Sequence, residues 1–133
     1  MSSELIARFN VVGWDPRELH GLDGDWVSGV TMTKVFTEGI TGDSIALFVA
    51  SGTEGQRSYF AAERITGALH DGRAGSFTVH HGGLESDEST WFGHIIPASG
   101  TNDFSDFAGS AHIQHDADGA YFVIKLNVIE PTT

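Results

Sequence analysis

Four polar side chains could carry out acid–base chemistry if the fold brings them together: Glu63, His81, Lys34 and Tyr59. They occur in runs of alternating apolar and polar residues, which are typical of half-buried β-strands. Burial in an apolar interior raises the pKa of a carboxylate unless a cation offsets it, and histidine titrates near neutrality. Glu63, assisted by His81, could then move protons on a bound small molecule while Lys34 or Tyr59 stabilises developing charge.

The same side chains could instead serve structure alone. Glu63 could bond to Lys34, to Tyr59 or to a backbone amide and only satisfy the polar groups of the interior. Free polar atoms in an open lumen would favour the catalytic interpretation. A packed interior in which Glu63 is fully paired would rule it out.

The hairpin in residues 61–82, AERITGALHDGRAGSFTVHHGG, decides which of these side chains point inward. A two-residue turn at 71–72 would mix apolar and polar side chains on both faces, whereas a three-residue loop at 70–72 separates them. The apolar face then carries Ile65, Leu69, Phe77 and Val79. We therefore predict the longer loop, with Glu63 and His81 inside on diagonal positions and His80 outside.

Strand patterns continue along the whole chain, and no helical periodicity exceeds two turns. We predict eight strands, at residues 4–14, 27–38, 43–51, 57–69, 73–81, 89–97, 110–115 and 120–130. Eight antiparallel strands with short turns can close into an up-and-down β-barrel, and a two-sheet sandwich is the main alternative. We expect this all-β fold to form a single domain over residues 1–133, with little or no helix.

Alternation along each strand separates the core face from the outer face. In the last strand the core face carries Phe122, Ile124, Leu126 and Val128. The same alternation places Lys34 with Met32 and Phe36, and it places Tyr59 on the apolar face of the hairpin.

Composition limits the classes of partner. The formal net charge is −11, which argues against binding to nucleic acid or to an anionic membrane. The chain has no cysteine, no apolar run long enough to span a membrane and no signal-peptide pattern, so we expect a cytoplasmic protein. The seven histidines lack metal-site spacing, because His80 and His81 point to opposite faces, as do His112 and His115. We therefore predict neither a metal nor a cofactor.

Aromatic and other apolar side chains supply candidates for binding a substrate. We select Trp14, Met32, Phe36, Trp91, Phe104 and Phe107. The two tryptophans could line a barrel mouth and contact a flat ligand, or they could simply pack. The segment 98–109 is too polar for a core strand, so we predict a helical turn that lays Phe104 and Phe107 over one barrel end.

Several segments together resemble a known family. They are FNVVGWD, TMTKVFTEGITGD, ERITGALHDGRAGSFTVHHGG, IIPASGTNDFSDFAGSAHI and AYFVIKLNV, in order over almost the whole chain. They resemble the bacterial domain-of-unknown-function 3224 family, which is similar to the allene oxide cyclase barrels and, more distantly, to the dirigent proteins. The hairpin loop is one residue longer here than the family's usual L-D-G-R.

The resemblance implies an eight-stranded barrel with a lumen, but it implies no established reaction. Because related barrels often self-associate, it also implies a possible homo-oligomer. Our first functional hypothesis is a cofactor-independent isomerase, cyclase or lyase that acts on an apolar metabolite held in the lumen. The second is a non-catalytic carrier of a hydrophobic small ligand, and the third is a packed barrel that acts through its outer surface.

Overall fold

A computed structural model describes residues 2–22 and 24–127. Its strands are β1 (Ser2–Arg17), β2 (Ser28–Glu38), β3 (Ile40–Ser51), β4 (Ser58–Leu69), β5 (Ala74–Leu84), β6 (Asp87–Ile95), β7 (Gly109–Asp116) and β8 (Gly119–Asn127). Each strand pairs antiparallel with the next, and β1 also pairs with β8, so the sheet closes into a barrel. The predicted eight-stranded barrel is confirmed, and the two-sheet sandwich is wrong.

The hairpin between β4 and β5 has the predicted register. Ile65 lies opposite Phe77, and the backbone N–H of Leu69 donates to the carbonyl of Arg73 at 2.8 Å. Gly72 ends the three-residue loop with φ of 93°, a left-handed conformation that glycine adopts without steric cost. Hydrophobic alternation therefore identified the correct loop length and, with it, the inward side of both strands.

Strand β1 is longer than the sequence predicts, because it continues through residues 15–17, beyond the predicted end at residue 14. Its first half, to Arg8, pairs with β8, and its second half pairs with β2 as far as Arg17. Pro16 therefore lies where β1 has a register partner on β2 but none on β8. A missing N–H does not interrupt the sheet at such an edge.

The connection between β2 and β3 is tighter than predicted, since β3 begins at Ile40 rather than at residue 43. Gly39 alone makes the turn, with φ of 78°. A β-carbon at this position would lie 2.0 Å from the carbonyl oxygen of Ile6 on β1. The turn therefore requires glycine both for its backbone conformation and for the close approach of β1.

One end of the barrel, which we call the closed end, is filled by apolar side chains. The core cluster includes Phe36, Ile40, Ile65, Leu69, Phe77, Phe104, Phe107, Phe122, Ile124 and Leu126. A short 3-10 turn, Asn102–Phe104, places Phe104 on the ring of Phe77 and stacks it on Phe107 with centroids 4.3 Å apart. This arrangement confirms the predicted helical turn over a barrel end.

The core face predicted for the last strand is also confirmed, since Phe122, Ile124 and Leu126 are buried. Val128, the fourth predicted member, lies outside the described residues. Among the residues that the structure describes, no helix has the length and apolar character needed to cross a membrane.

Candidate functional site

The opposite end of the barrel is open and contains a cavity of about 740 Å³, which we call the mouth cavity. Its walls include Trp14, Val30, Phe48, Tyr59, Trp91 and Ile113. A smaller space of about 190 Å³, the inner pocket, extends from it past Met32 to Lys34 and His81. Because Phe48, Tyr59 and Ile113 line both spaces, the two are neighbouring parts of one lumen.

Four buried polar side chains, which we call the polar cluster, lie between the inner pocket and the closed end: Lys34, Ser44, Glu63 and His81. Oε1 of Glu63 accepts a hydrogen bond from Nζ of Lys34 at 2.9 Å and lies 2.8 Å from Nε2 of His81. Its Oε2 accepts a hydrogen bond from the Ser44 hydroxyl at 2.6 Å. Glu63 has no exposed surface, and both of its oxygens are engaged.

Strand register explains why these side chains meet. Lys34 on β2 lies directly opposite Ser44 on β3, and Glu63 on β4 lies opposite Ala46, two residues further along β3. Diagonal neighbours of this kind are within reach of long side chains. The small Ala46 side chain leaves room for Lys34 to reach across β3 to the carboxylate.

The charges of the polar cluster compensate one another. Burial alone would raise the pKa of Glu63, but the hydrogen bond from His81, the charge of Lys34 and the bond from Ser44 lower it to about 2. Burial lowers the pKa of Lys34, and the charge of Glu63 opposes that change. The Lys34 ammonium also lies 4.1 Å from the centre of the Phe9 ring, a favourable cation–π arrangement. Glu63 is therefore ionised at neutral pH and does not serve as a proton donor there.

Tyr59 connects the polar cluster to the mouth cavity. Its hydroxyl lies 3.2 Å from Nδ1 of His81, and its ring stacks on Phe48 with centroids 4.8 Å apart. Burial, together with the nearby charge of Glu63, raises the pKa of Tyr59 to about 12. Tyr59 is therefore a protonated phenol that faces the lumen and contacts the buried histidine.

The structure brings together all four residues to which we assigned acid–base chemistry, namely Glu63, His81, Lys34 and Tyr59. Ser44 completes the group and was missed. Alternation with Ala46, Phe48 and Ala50 would have placed it on the inner face, since Ser44 lies two residues before Ala46. The signal available in the sequence was a serine, Ser44, on the inward face of an otherwise apolar strand.

The six residues selected for substrate binding divide between the two ends of the barrel. Trp14 and Trp91 line the mouth cavity, and Met32 lines the inner pocket. Phe36, Phe104 and Phe107 belong to the core cluster at the closed end. The structure thus places three of the six where a ligand could reach them and the other three in the packed core.

The remaining histidines are dispersed. His80 points outward, as predicted, and lies beside His94 with ring centroids 6.0 Å apart. Within residues 2–22 and 24–127, no group of three or more histidine or carboxylate side chains is arranged to hold a metal ion.

Comparison with known proteins identifies the family to which the chain belongs. The model of the family described as "Protein of unknown function (DUF3224)" matches residues 5–126. The crystal structure of a DUF3224 protein of unknown function from Shewanella oneidensis MR-1 is similar, with a TM-score of 0.78 and 18% identity. The match covers 98% of this chain and 100% of that one, and at this identity it supports the fold alone. No curated protein matches the chain. Because the family match spans most of the sequence, the chain belongs to the DUF3224 family, whose function is not established.

Proposed function

We propose that this protein binds an apolar small molecule in the mouth cavity. The observation that carries the proposal is a cavity of about 740 Å³ at the open end of a barrel whose other end is packed. Pockets for small molecules commonly occupy roughly 300–1,000 Å³, have mostly apolar and aromatic walls, and contain a few polar groups that fix orientation. The mouth cavity has such walls, and Tyr59 is a polar group at its inner limit.

Binding without direct chemistry by Glu63 fits the geometry better than our first hypothesis does. That hypothesis assigned proton transfer on the ligand to Glu63, which requires an exposed carboxylate. Both Glu63 oxygens accept bonds from buried partners, and the side chain has no exposed surface. Glu63 is fully paired, but the lumen beside it is not packed, so the condition for excluding catalysis is met only in part. An isomerase, cyclase or lyase activity stays a prediction, and the geometry favours the alternative of a binding or carrier protein.

A fluorescence titration tests the proposal. The probe is N-phenyl-1-naphthylamine, a neutral aromatic molecule whose emission rises in apolar surroundings. Ala50 lines the mouth cavity and lies opposite Tyr59, so Ala50→Phe should fill the space above Tyr59. Ala62 is exposed on the outer face of β4, and Ala62→Phe adds the same ring there without entering the lumen.

We expect the wild-type protein and Ala62→Phe to bind the probe with similar affinity. Ala50→Phe should weaken binding at least tenfold, a change of about 1.4 kcal/mol. Equal affinity in all three proteins, with all three shown to be folded by circular dichroism, would contradict the proposal.

A further inference from the structure

Hydrogen bonds lead from Glu63 through His81 to Tyr59 at the lumen, and the neutral form of His81 gives them one direction. The Glu63 carboxylate is ionised and can only accept, so Nε2 of His81 carries the proton between them. When the imidazole is neutral, its other nitrogen is an acceptor, and Nδ1, 3.2 Å from the Tyr59 oxygen, then accepts a hydrogen bond from that hydroxyl. In this form the order Tyr59 to His81 to Glu63 runs from the lumen to the buried carboxylate.

This direction leaves one hydrogen-bonding position open at the cavity. The Tyr59 oxygen uses its proton toward His81 and keeps its lone pairs, and within the described residues it has no other partner. A ligand group that donates a hydrogen bond fits this position without breaking the existing bonds. A carbonyl oxygen does not fit it, because it would compete with His81 for the Tyr59 proton.

The walls of the mouth cavity favour a flat ligand. On one side, the rings of Trp14 and Phe48 lie 5.5 Å apart, and Phe48 stacks on Tyr59 at 4.8 Å with an angle of 18° between the planes. Across the barrel, Trp91 on β6 and His115 on β7 form an edge-to-face pair at 6.3 Å. Two aromatic walls with an apolar space between them suit a planar conjugated molecule.

We propose that Tyr59, His81 and Glu63 form a proton relay that accepts the proton of a phenolic or enolic hydroxyl on a planar conjugated ligand in the mouth cavity. The inference rests on the proposed ligand-binding function and deepens it. The ligand hydroxyl donates to the Tyr59 oxygen, and its proton moves to that oxygen as the Tyr59 proton moves to Nδ1 of His81. The ligand becomes an oxyanion and His81 an imidazolium, and no other reactant is consumed or formed.

The polar cluster favours this transfer because every buried charge keeps a partner. Before the transfer, Lys34 and Glu63 form one ion pair at 2.9 Å. After it, the imidazolium of His81 adds a second positive charge beside the same carboxylate, 2.8 Å away, and the ligand anion balances it. The total charge of cluster and ligand is unchanged. The other titratable side chains that line the two spaces are Arg57, Glu85 and His115.

The ionisation of a bound chromophoric phenol tests the relay. The probe is 4-nitrophenol, whose phenolate absorbs at a longer wavelength than the neutral phenol. Its apparent pKa is measured at saturating protein by absorbance titration, at pH values where circular dichroism shows the fold intact. The non-ionisable 4-nitroanisole, followed by quenching of tryptophan fluorescence, reports binding alone.

In the wild-type protein we expect the pKa of bound 4-nitrophenol to lie at least one unit below that of the free probe. A difference of one unit means that the phenolate binds about tenfold more tightly than the neutral phenol. Tyr59→Phe keeps the ring on Phe48 and should bind 4-nitroanisole within about threefold of wild type, but it should abolish the fall in pKa. His81→Gln should also abolish it. His80→Gln, which changes an exposed histidine on the outer face of the barrel, should retain it.

Two results overturn the inference in distinguishable ways. If 4-nitroanisole binds normally but the pKa of bound 4-nitrophenol is the same in wild type and Tyr59→Phe, the relay is wrong and the binding function stands. If neither probe binds to the wild-type protein or to Ala50→Phe, the mouth cavity is not a binding site for such molecules. The proposed relay is then wrong as well, because it requires a bound ligand.

Discussion

At the scale of single residues, the central feature is a carboxylate that is buried and yet ionised. Glu63 retains its charge because a lysine, a serine and a histidine surround it, as their contacts of 2.6–2.9 Å show. The sequence indicated Lys34 as a cation that could keep Glu63 ionised, since burial raises the pKa of a carboxylate unless a cation offsets it. It could not show that Lys34 reaches Glu63 across an intervening strand.

The free energy of unfolding at acidic pH should depend on the charge of the Glu63 carboxylate. The pKa of Glu63 is lowered from 4.5 to about 2 in the folded protein, so the ionised carboxylate stabilises the fold above about pH 4.5. This contribution is lost progressively as the pH falls toward 2. We expect the free energy of unfolding of Glu63→Gln, measured in urea, to depend less steeply on pH between 4.5 and 2 than that of wild type.

The exposed Glu54 provides the control, because Glu54→Gln changes the same side chain far from the polar cluster. It should leave the slope at its wild-type value. A slope for Glu63→Gln that equals the wild-type slope would show that folding does not lower the pKa of Glu63.

At the scale of the strands, hydrophobic alternation was sufficient to determine one hairpin and insufficient to place the site. The register of β4 and β5 followed from alternation because a one-residue slip would exchange the two faces. Distances across three strands also depend on the tilt and stagger of the closed barrel, which no local pattern encodes. The meeting of Lys34, Ser44 and Glu63 was therefore only partly predictable, whereas their inward direction followed from alternation.

Two glycines in tight turns allow a matched test of what the turns require. Gly72 and Gly39 both have left-handed backbones, with φ of 93° and 78°. An added β-carbon meets nothing within 4 Å at Gly72, but it meets a backbone oxygen of β1 at 2.0 Å at Gly39. We expect Gly72→Ala to lower the free energy of unfolding by roughly 1–2 kcal/mol, the cost of the left-handed conformation.

Gly39→Ala adds a steric conflict to the same backbone cost, and such overpacking adds about 1–3 kcal/mol. Chemical denaturation of the two variants measures the difference. If Gly39→Ala and Gly72→Ala lose equal stability, the backbone of β1 moves away from the added methyl group without a measurable cost in free energy.

At the scale of the whole molecule, the barrel has one packed end and one open end. Phe104 and Phe107 close the packed end, while Trp14 and Trp91 line the open one. The sequence predicted both pairs as candidates for substrate binding, the tryptophans at a barrel mouth and the phenylalanines in a helical turn over a barrel end. Only the closed topology shows which end the core fills, and among the described residues this asymmetry leaves the lumen at the open end free for a ligand.

The position of a bound ligand along the barrel tests the proposed binding site in the mouth cavity. Isoleucine methyl signals of the labelled protein are followed by NMR as N-phenyl-1-naphthylamine is added. Ile113 lines the mouth cavity, Ile65 lies in the core of the closed end, and Ile45 is exposed on the outer face of β3. We predict that the Ile113 signal shifts in a saturable manner while those of Ile65 and Ile45 stay nearly unchanged. A saturable shift at Ile45 with none at Ile113 would place the ligand on the outside of the barrel and contradict binding in the mouth cavity.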